Sequence, residues 1–290
     1  MSRIKECFTS RFEGGSIVQV DFSQLEVVAL AFLSGDEVLK GDIRDGVDMH
    51  CMSASFLYSK DYHAILHAYK SGDPTWTHRR KKAKAPGFLI QYGGSATTMA
   101  HSTGLTRSQC QVFIDNYYSR YKQVKLWQDD IAKSVLESRL PSAKFVGGVQ
   151  AGMSVLKSIT GRRYVFYEQE APKFLKDRGT PLSFSPTQMK NYPVQGFATG
   201  DIVPLMIGKV YRWIKNNYPD VLMVNTIHDS IMFDVPPHID IREFSISLAE
   251  ATAFAPTIIE DTFGFEFDLP LPVDVEHGPS WAEVDRIVLT

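Results

Sequence analysis

Cysteine is scarce: Cys7, Cys51 and Cys110 are the three in 290 residues. So few, so widely spaced, exclude a disulfide framework and a four-cysteine zinc site, and the expectation is a reduced, intracellular, cytoplasmic protein. A long apolar run is also missing. Every hydrophobic stretch breaks well before the roughly 18 residues that a membrane span needs. The start, Met1-Ser2-Arg3-Ile4-Lys5-Glu6, lacks the apolar segment of a secretory signal. Nor does one charge dominate: 31 Lys+Arg against 33 Asp+Glu leave a net −2. Bulk charge therefore announces no nucleic-acid partner, and any such partner must be held by a local basic patch.

What is present is ordinary globular composition, 44% hydrophobic and 22% charged, which excludes wholesale disorder. The length suggests about two domains, and no internal repeat is visible. Ile17-Val18-Gln19-Val20-Asp21-Phe22 reads as a buried strand. Ser23-Gln24-Leu25-Glu26 fits a capping box opening a helix through Leu33, with Glu26 as the partner of Ser23. Residues from about Asp48 to Ser138 read as mostly helical. Loop chemistry dominates from Leu140 to Pro186, with Gly147-Gly148, Gly161 and Gly179. A helix is expected from about Val194 to Asn216. Two strands, 221–227 and 231–235, then flank His228-Asp229-Ser230, a hairpin-like turn. Strands at both ends with helices between predict an α+β domain carrying a helical insertion.

Two constellations could carry chemistry. If the strands share a sheet, Asp21 at a strand end and Asp229 in a turn converge on one edge. Two carboxylates suit Mg²⁺, which takes one or two of them plus substrate phosphates; taken alone, an Asp after a strand is more often a cap or turn residue. The second is the stretch from Arg79 to Gly94. Arg80, Lys84, Phe88 and Tyr92 recur every four residues, a slowly drifting stripe on a helix. Two cations one turn apart suit a polyphosphate and the aromatics a base and sugar, although a charge run is also simply a solvated face. Pro86-Gly87 interrupts this stripe. Pro86 cannot donate to the carbonyl of Lys82, so a kink or break is expected there, with Pro86-Gly87 as a candidate bend for opening and closing.

Asp21-Phe22-Ser23-Gln24-Leu25-Glu26 resembles motif A of family A DNA polymerases, the DNA polymerase I-like group. The stretch Arg80-x3-Lys84-x3-Phe88-x3-Tyr92-Gly93 resembles their motif B, and Ile227-His228-Asp229-Ser230 their motif C. Gly35-Asp36, Asp48-Met49-His50, Gly161-Arg162-Arg163-Tyr164, Asn191-Tyr192-Pro193-Val194-Gln195-Gly196 and the end from Leu271 to Trp281 fall in the family's order. The resemblance covers nearly the whole chain.

It implies a right-hand palm with an antiparallel sheet over 1–34 and 188–290, and inserted helical fingers over 35–187. The implied reaction is template-directed DNA synthesis. A primer 3′-hydroxyl attacks the α-phosphate of a dNTP with two Mg²⁺ ions (Mn²⁺ can substitute) and pyrophosphate leaves. Asp21, Asp229 and the Phe22 carbonyl would hold metal. Arg80, Lys84 and His50 would hold the triphosphate, with Lys84 the acid for pyrophosphate. Phe88 would pack on sugar and base, Tyr92 would lie near the template base, and Gln24 and Glu26 would also line the nucleotide, Glu26 crowding a 2′-hydroxyl. Asn191, Gln195, His228, Arg162 and Arg163 would contact primer-template DNA.

Three positions depart from the family pattern. Val28 stands where an Arg is usual, Ser230 where a Glu is usual, and Thr187 where an Arg is often found. His-Asp-Ser also occurs in single-subunit RNA polymerases, so motif C leaves the sugar open, while Glu26 and Phe88 favour deoxynucleotides. A non-catalytic DNA-binding subunit keeping the fold is the reading from another class. A thumb and 3′–5′ exonuclease precede motif A in the family; their absence implies a split, phage-type enzyme acting in the host cytoplasm, with a separate polypeptide supplying both, or a truncated one.

Overall fold

The computed structural model describes residues 3–287. Met1, Ser2 and Val288–Thr290, the ends of the expected palm ranges, lie outside the described residues. The chain forms two compact units, Met1–Ala29 with Gly196–Thr290, and Leu30–Gln195. Among the described residues no helix is long and apolar enough to cross a membrane.

The first unit opens with a short 3-10 helix, Arg3–Cys7, and strand β1 (Ser16–Phe22). Helix α1 (Leu25–Ser34) carries the chain into the second unit. There, helices α2 (Glu37–Arg44), α3 (Met49–Tyr58), α4 (Tyr62–Lys70), α5 (Pro74–Gln91), α6 (Ala96–Thr103), α7 (Arg107–Arg120) and α8 (Lys122–Glu137) follow one another. They bear out the helical expectation for 48–138. Phe56 of α3 meets Phe113, Tyr117 and Tyr121 edge-on at 5.8–6.1 Å, a geometry that adds to plain burial. Asp36, in the Gly35-Asp36 piece, caps α2 by accepting from Leu39 N–H. Its other oxygen accepts from Gln123 and Val124 N–H at the start of α8.

The region from Leu140 to Pro186 is not loop. It contains β2 (Leu140–Val146), β3 (Val149–Lys157) and β4 (Arg163–Tyr167) in an antiparallel sheet, then β5 (Gln169–Glu170), helix α9 (Lys173–Lys176) and β6 (Leu182–Ser183). Gly147 and Gly148, at φ 56° and 79°, form the two-residue turn joining β2 to β3. That turn needs left-handed conformations at both positions, so the glycines marked a hairpin rather than a loop. Tyr164, Phe166, Phe184, Val135 and Met189 make one core cluster that seats helix α10 (Pro186–Phe197). The helix expected from Val194 thus starts at Pro186. It passes through a π-helical turn, Ala198–Ile202, before α11 (Val203–Asn217).

Back in the first unit come β7 (Leu222–Ile227), β8 (Ser230–Val235), α12 (Ile241–Ala253), α13 (Ala255–Phe263), β9 (Val273–Gly278) and β10 (Asp285–Arg286). The sheet order is β10-β9-β1-β8-β7, antiparallel throughout. In β1, Val18, Val20 and Phe22 are buried on one face while Gln19 and Asp21 lie on the other, half-buried. Strand period 2 dictates that alternation. Phe233 meets Phe244 of α12 edge-on at 6.0 Å, packing that helix on the sheet.

Candidate active site

The sheet brings the two aspartates together. Asp21 pairs with Ser230 of β8, and the Phe22 N–H donates to the carbonyl of Asp229 at 3.1 Å. Only His228 and Asp229 separate β7 from β8, and His228 takes φ 55°, so the turn presents Asp229 at the strand end that carries Asp21. On the other side Asp21 pairs with Asp274 of β9, and Gln19 with Glu276. These two acids had no assigned role in the sequence. Their i, i+2 spacing in a strand was the available signal, because it puts both on one face.

The result is concentrated negative charge. Burial, then Asp229, Asp274 and Glu276, push the Asp21 carboxyl up to about 6. Burial also raises Asp229, against its own backbone N–H and His228. Asp274 is compensated by the Arg286 guanidinium and by the Ser23 hydroxyl, which donates at 2.8 Å. Apart from His228 beside Asp229, no cation is recorded next to Asp21 or Asp229 among the described residues. Half-buried carboxylates that repel one another with so little protein counter-charge suit the oxygen preference of a divalent cation, while no cluster of three or more His, Cys, Asp or Glu placed to hold a metal occurs among the described residues.

The Ser23 bond overturns the expected capping box. Its hydroxyl goes to Asp274 and its N–H to the carbonyl of Pro272, while Gln24 adopts φ 56° and α1 begins at Leu25. The Ser23-Gln24 turn that leads into α1, whose second residue is Glu26, is therefore tied to β9. The competition anticipated for Glu26 is removed at the Ser23 side.

In the second unit, His50, Arg80, Lys84 and Phe88 form a separate group. Asp48 caps α3 by accepting from His50 N–H (3.0 Å) and Cys51 N–H (2.9 Å). The same carboxylate accepts from Arg80 Nε and from Nη2 at 2.8 Å, while the guanidinium lies 4.5 Å over the Tyr69 ring. Burial alone would raise the Asp48 carboxyl, but the Arg80 and Cys51 hydrogen bonds outweigh it and hold it below its ordinary range. Burial, then Lys84 and Arg80, push the His50 imidazole down to about 4 despite Asp48. It is neutral at physiological pH, and its ring meets Phe88 edge-on at 6.1 Å.

Of the kink or break expected at Pro86-Gly87, the break is absent: α5 runs continuously from Pro74 to Gln91 with Pro86 inside it. Pro86 is buried on the same side as Ala83 and Ile90, leaving Lys84 and Phe88 exposed on the other. Gly87 lets α3 approach, since a Cβ there would sit 2.6 Å from Ser53 Oγ. Packing on both sides of Pro86 thus holds the helix together where local propensity would end it. Phe88 stays on the cationic stripe, and Tyr92 is the C-terminal cap.

The other candidates lie elsewhere in the second unit. Arg162 and Arg163 are exposed at the turn into β4. Asn191 and Gln195 are one turn apart on α10; Gln195 is exposed, and Asn191 buries an amide oxygen without a hydrogen-bond partner.

Comparison with known proteins bears on the whole chain. A family model described as DNA polymerase family A matches residues 1–283. The thermostable DNA polymerase I of Thermus filiformis is 28% identical over 285 residues, 98% of this chain and 29% of that protein. The DNA polymerase I of Bacillus subtilis (strain 168) is 28% identical over 279 residues, 96% of this chain and 27% of that protein. The chain thus spans under a third of the length of these curated relatives. Among solved structures, the POL domain of Pol1 from M. smegmatis, in complex with DNA primer-template and dNTP, is similar in fold. The TM-score is 0.68 at 22% identity, over 96% of this chain and 42% of that one.

Proposed function

Because the chain belongs to DNA polymerase family A, we propose that it is the catalytic portion of a DNA-directed DNA polymerase, transferring a nucleotide from a dNTP to a primer 3′-hydroxyl. The observation that carries this reading is the convergence of Asp21 and Asp229 on one strand end, where Asp21 pairs with Ser230 and the Phe22 N–H donates to the Asp229 carbonyl. In this reading the first unit is the palm and the second the fingers.

Two Mg²⁺ ions, when bound, lower the pKa of the attacking hydroxyl and neutralise the triphosphate. Asp21 and Asp229 would hold them, with the Phe22 carbonyl as a further oxygen. Arg80 binds phosphate through Nη1: its Nε/Nη2 edge is committed to Asp48, which fixes the direction of the other edge. Lys84, exposed and one turn on, adds the second cation and gives a proton to the departing pyrophosphate. Neutral His50 donates an N–H to a phosphate oxygen without adding charge. Phe88 packs against base and sugar. Glu26, in the first turn of α1 just past the turn tied to β9, crowds a 2′-hydroxyl and selects deoxynucleotides. Asn191, Gln195, His228, Arg162 and Arg163 contact the primer-template duplex, and Tyr92 borders the template base.

The test is single-turnover primer extension at low salt by the chain and by Asp229→Asn, with dNTPs and with NTPs. Mg²⁺-dependent, templated dNTP addition lost in the variant supports the reading. Preferential NTP addition would make the chain an RNA polymerase of the single-subunit type. DNA binding without any synthesis would favour a non-catalytic subunit. The separate polypeptide expected to supply thumb and exonuclease has its test in the same assay. Processive extension by the chain alone at physiological salt removes it; salt-sensitive, distributive extension that becomes processive on adding that polypeptide supports it.

A further inference from the structure

Lys190 of α10 is a half-buried lysine, and no ion pair or hydrogen bond to it is recorded among the described residues. The charged groups that act on it are Asp129 and Lys125 of α8, and those two pair with each other. Asp129 is therefore already compensated. Burial lowers the Lys190 ammonium from its ordinary range, the direction expected of a cation short of counter-charge.

Its position is built rather than incidental. Gly93, at φ 66° just past the end of α5, lies directly under the lysine stem. A Cβ there would collide with Lys190 Cδ, and Nζ lies 3.1 Å from where it would be. The adjacent Asn191 buries an amide oxygen that also has no partner. The Asn191 oxygen calls for a donor and not for an anion; it is the Lys190 ammonium that lacks the counter-charge that would satisfy it. The partial negative charge at the end of α5 offsets only part of the ammonium's desolvation.

We propose that Lys190 is a contact for a backbone phosphate of the bound nucleic acid, seated at the Tyr92-Gly93 end of α5. This rests on the polymerase reading above. The phosphate comes from a strand rather than from the dNTP because of helix length. Tyr92 lies eight residues beyond Lys84, about 12 Å along the axis, so a triphosphate gripped by Arg80 and Lys84 does not extend to it.

Lys190→Met tests this, because methionine keeps an unbranched stem against Gly93 and removes only the charge; Lys190→Arg keeps the charge. Primer-template affinity is measured by fluorescence anisotropy between 50 and 200 mM salt, beside dNTP KM and melting temperature. In Lys190→Met the slope of log affinity against log salt should be shallower by about one unit. Affinity should fall several-fold at the low-salt end, with dNTP KM unchanged and melting not lowered. Lys190→Arg should restore the slope. An unchanged slope in Lys190→Met, or a raised dNTP KM with an unchanged slope, overturns the proposal. Absence of salt-dependent DNA binding by the unmodified chain would instead overturn the polymerase reading, and this proposal with it.

Discussion

The acidic strand end of the first unit and the cationic helix stripe of the second handle charge in opposite ways. At the strand end, backbone pairing forces Asp21 between Ser230 and Asp274, and its carboxylate is left without a cation. On the stripe, helical spacing sets Arg80, Lys84 and Phe88 in line, and Arg80 is already matched to Asp48. A sheet can hold like charges close because its hydrogen bonds bear the cost. A helix face can hold a cation ready because a neighbouring cap orients it. In the proposed reading, the first arrangement is completed only by metal, whereas the second is pre-oriented before any nucleotide arrives.

The sharpest way to break this contrast is to mutate each side and separate rate from affinity. Asp21→Asn should lower the single-turnover extension rate by about 10³-fold or more, with dNTP KM changed by only a few-fold. A rate within tenfold of the unmodified chain would remove Asp21 from the chemistry. Arg80→Ala should act mainly on affinity, raising dNTP KM by roughly 10–100-fold, the worth of a charge-assisted hydrogen bond. An equal loss in kcat with KM unmoved would mean that Arg80 acts only in the transition state.

Smaller effects follow from the titration of the acids. Without metal, the folded-state pKa of Asp21 near 6 lies above its unfolded value near 3.8. The folded chain therefore holds the proton more tightly, and stability falls as pH rises from about 4 to about 6, the deficit being complete above that. Asp21→Asn removes the deficit. Its melting temperature should exceed that of the unmodified chain by about 2 °C at pH 7.5 and converge with it near pH 4. Mg²⁺ should close the gap at pH 7.5 by stabilising the unmodified chain alone. A constant gap across pH would mean that Asp21 does not feel its neighbours. The smallest change expected is Ser23→Ala. Loss of the bond to Asp274 should cost about 1 kcal/mol in chemical denaturation. It should also weaken discrimination against ribonucleotides by loosening the turn that leads into α1 and Glu26; unchanged discrimination would make the tie purely structural.

Some of this was legible because it is local. Strand and turn chemistry around Asp21 and Asp229 located both aspartates, and the four-residue spacing located the stripe. The misreadings have specific causes. Ser23 has the composition of a capping box, but its hydroxyl finds Asp274, 251 residues away. The glycines of 140–186 looked like loop because glycine marks hairpins and loops alike; the β2-β3-β4 pairing decides between them. Pro86 looked like a kink or a break, and burial of Ala83, Pro86 and Ile90 carries the helix through it without a break.

The sequence by itself determined the family, the order of its motifs and the residue types available for chemistry, since periodicity and turn chemistry act over a few residues. Only the tertiary structure decided which charges are compensated. Asp274 and Glu276 join Asp21 through strand register, Asp48 claims one edge of Arg80, and Lys190 lies against Gly93 with no acid of its own. Each depends on where distant segments are packed, and the free energy of a charge is set by the dielectric and the counter-charges around it rather than by its neighbours in the chain.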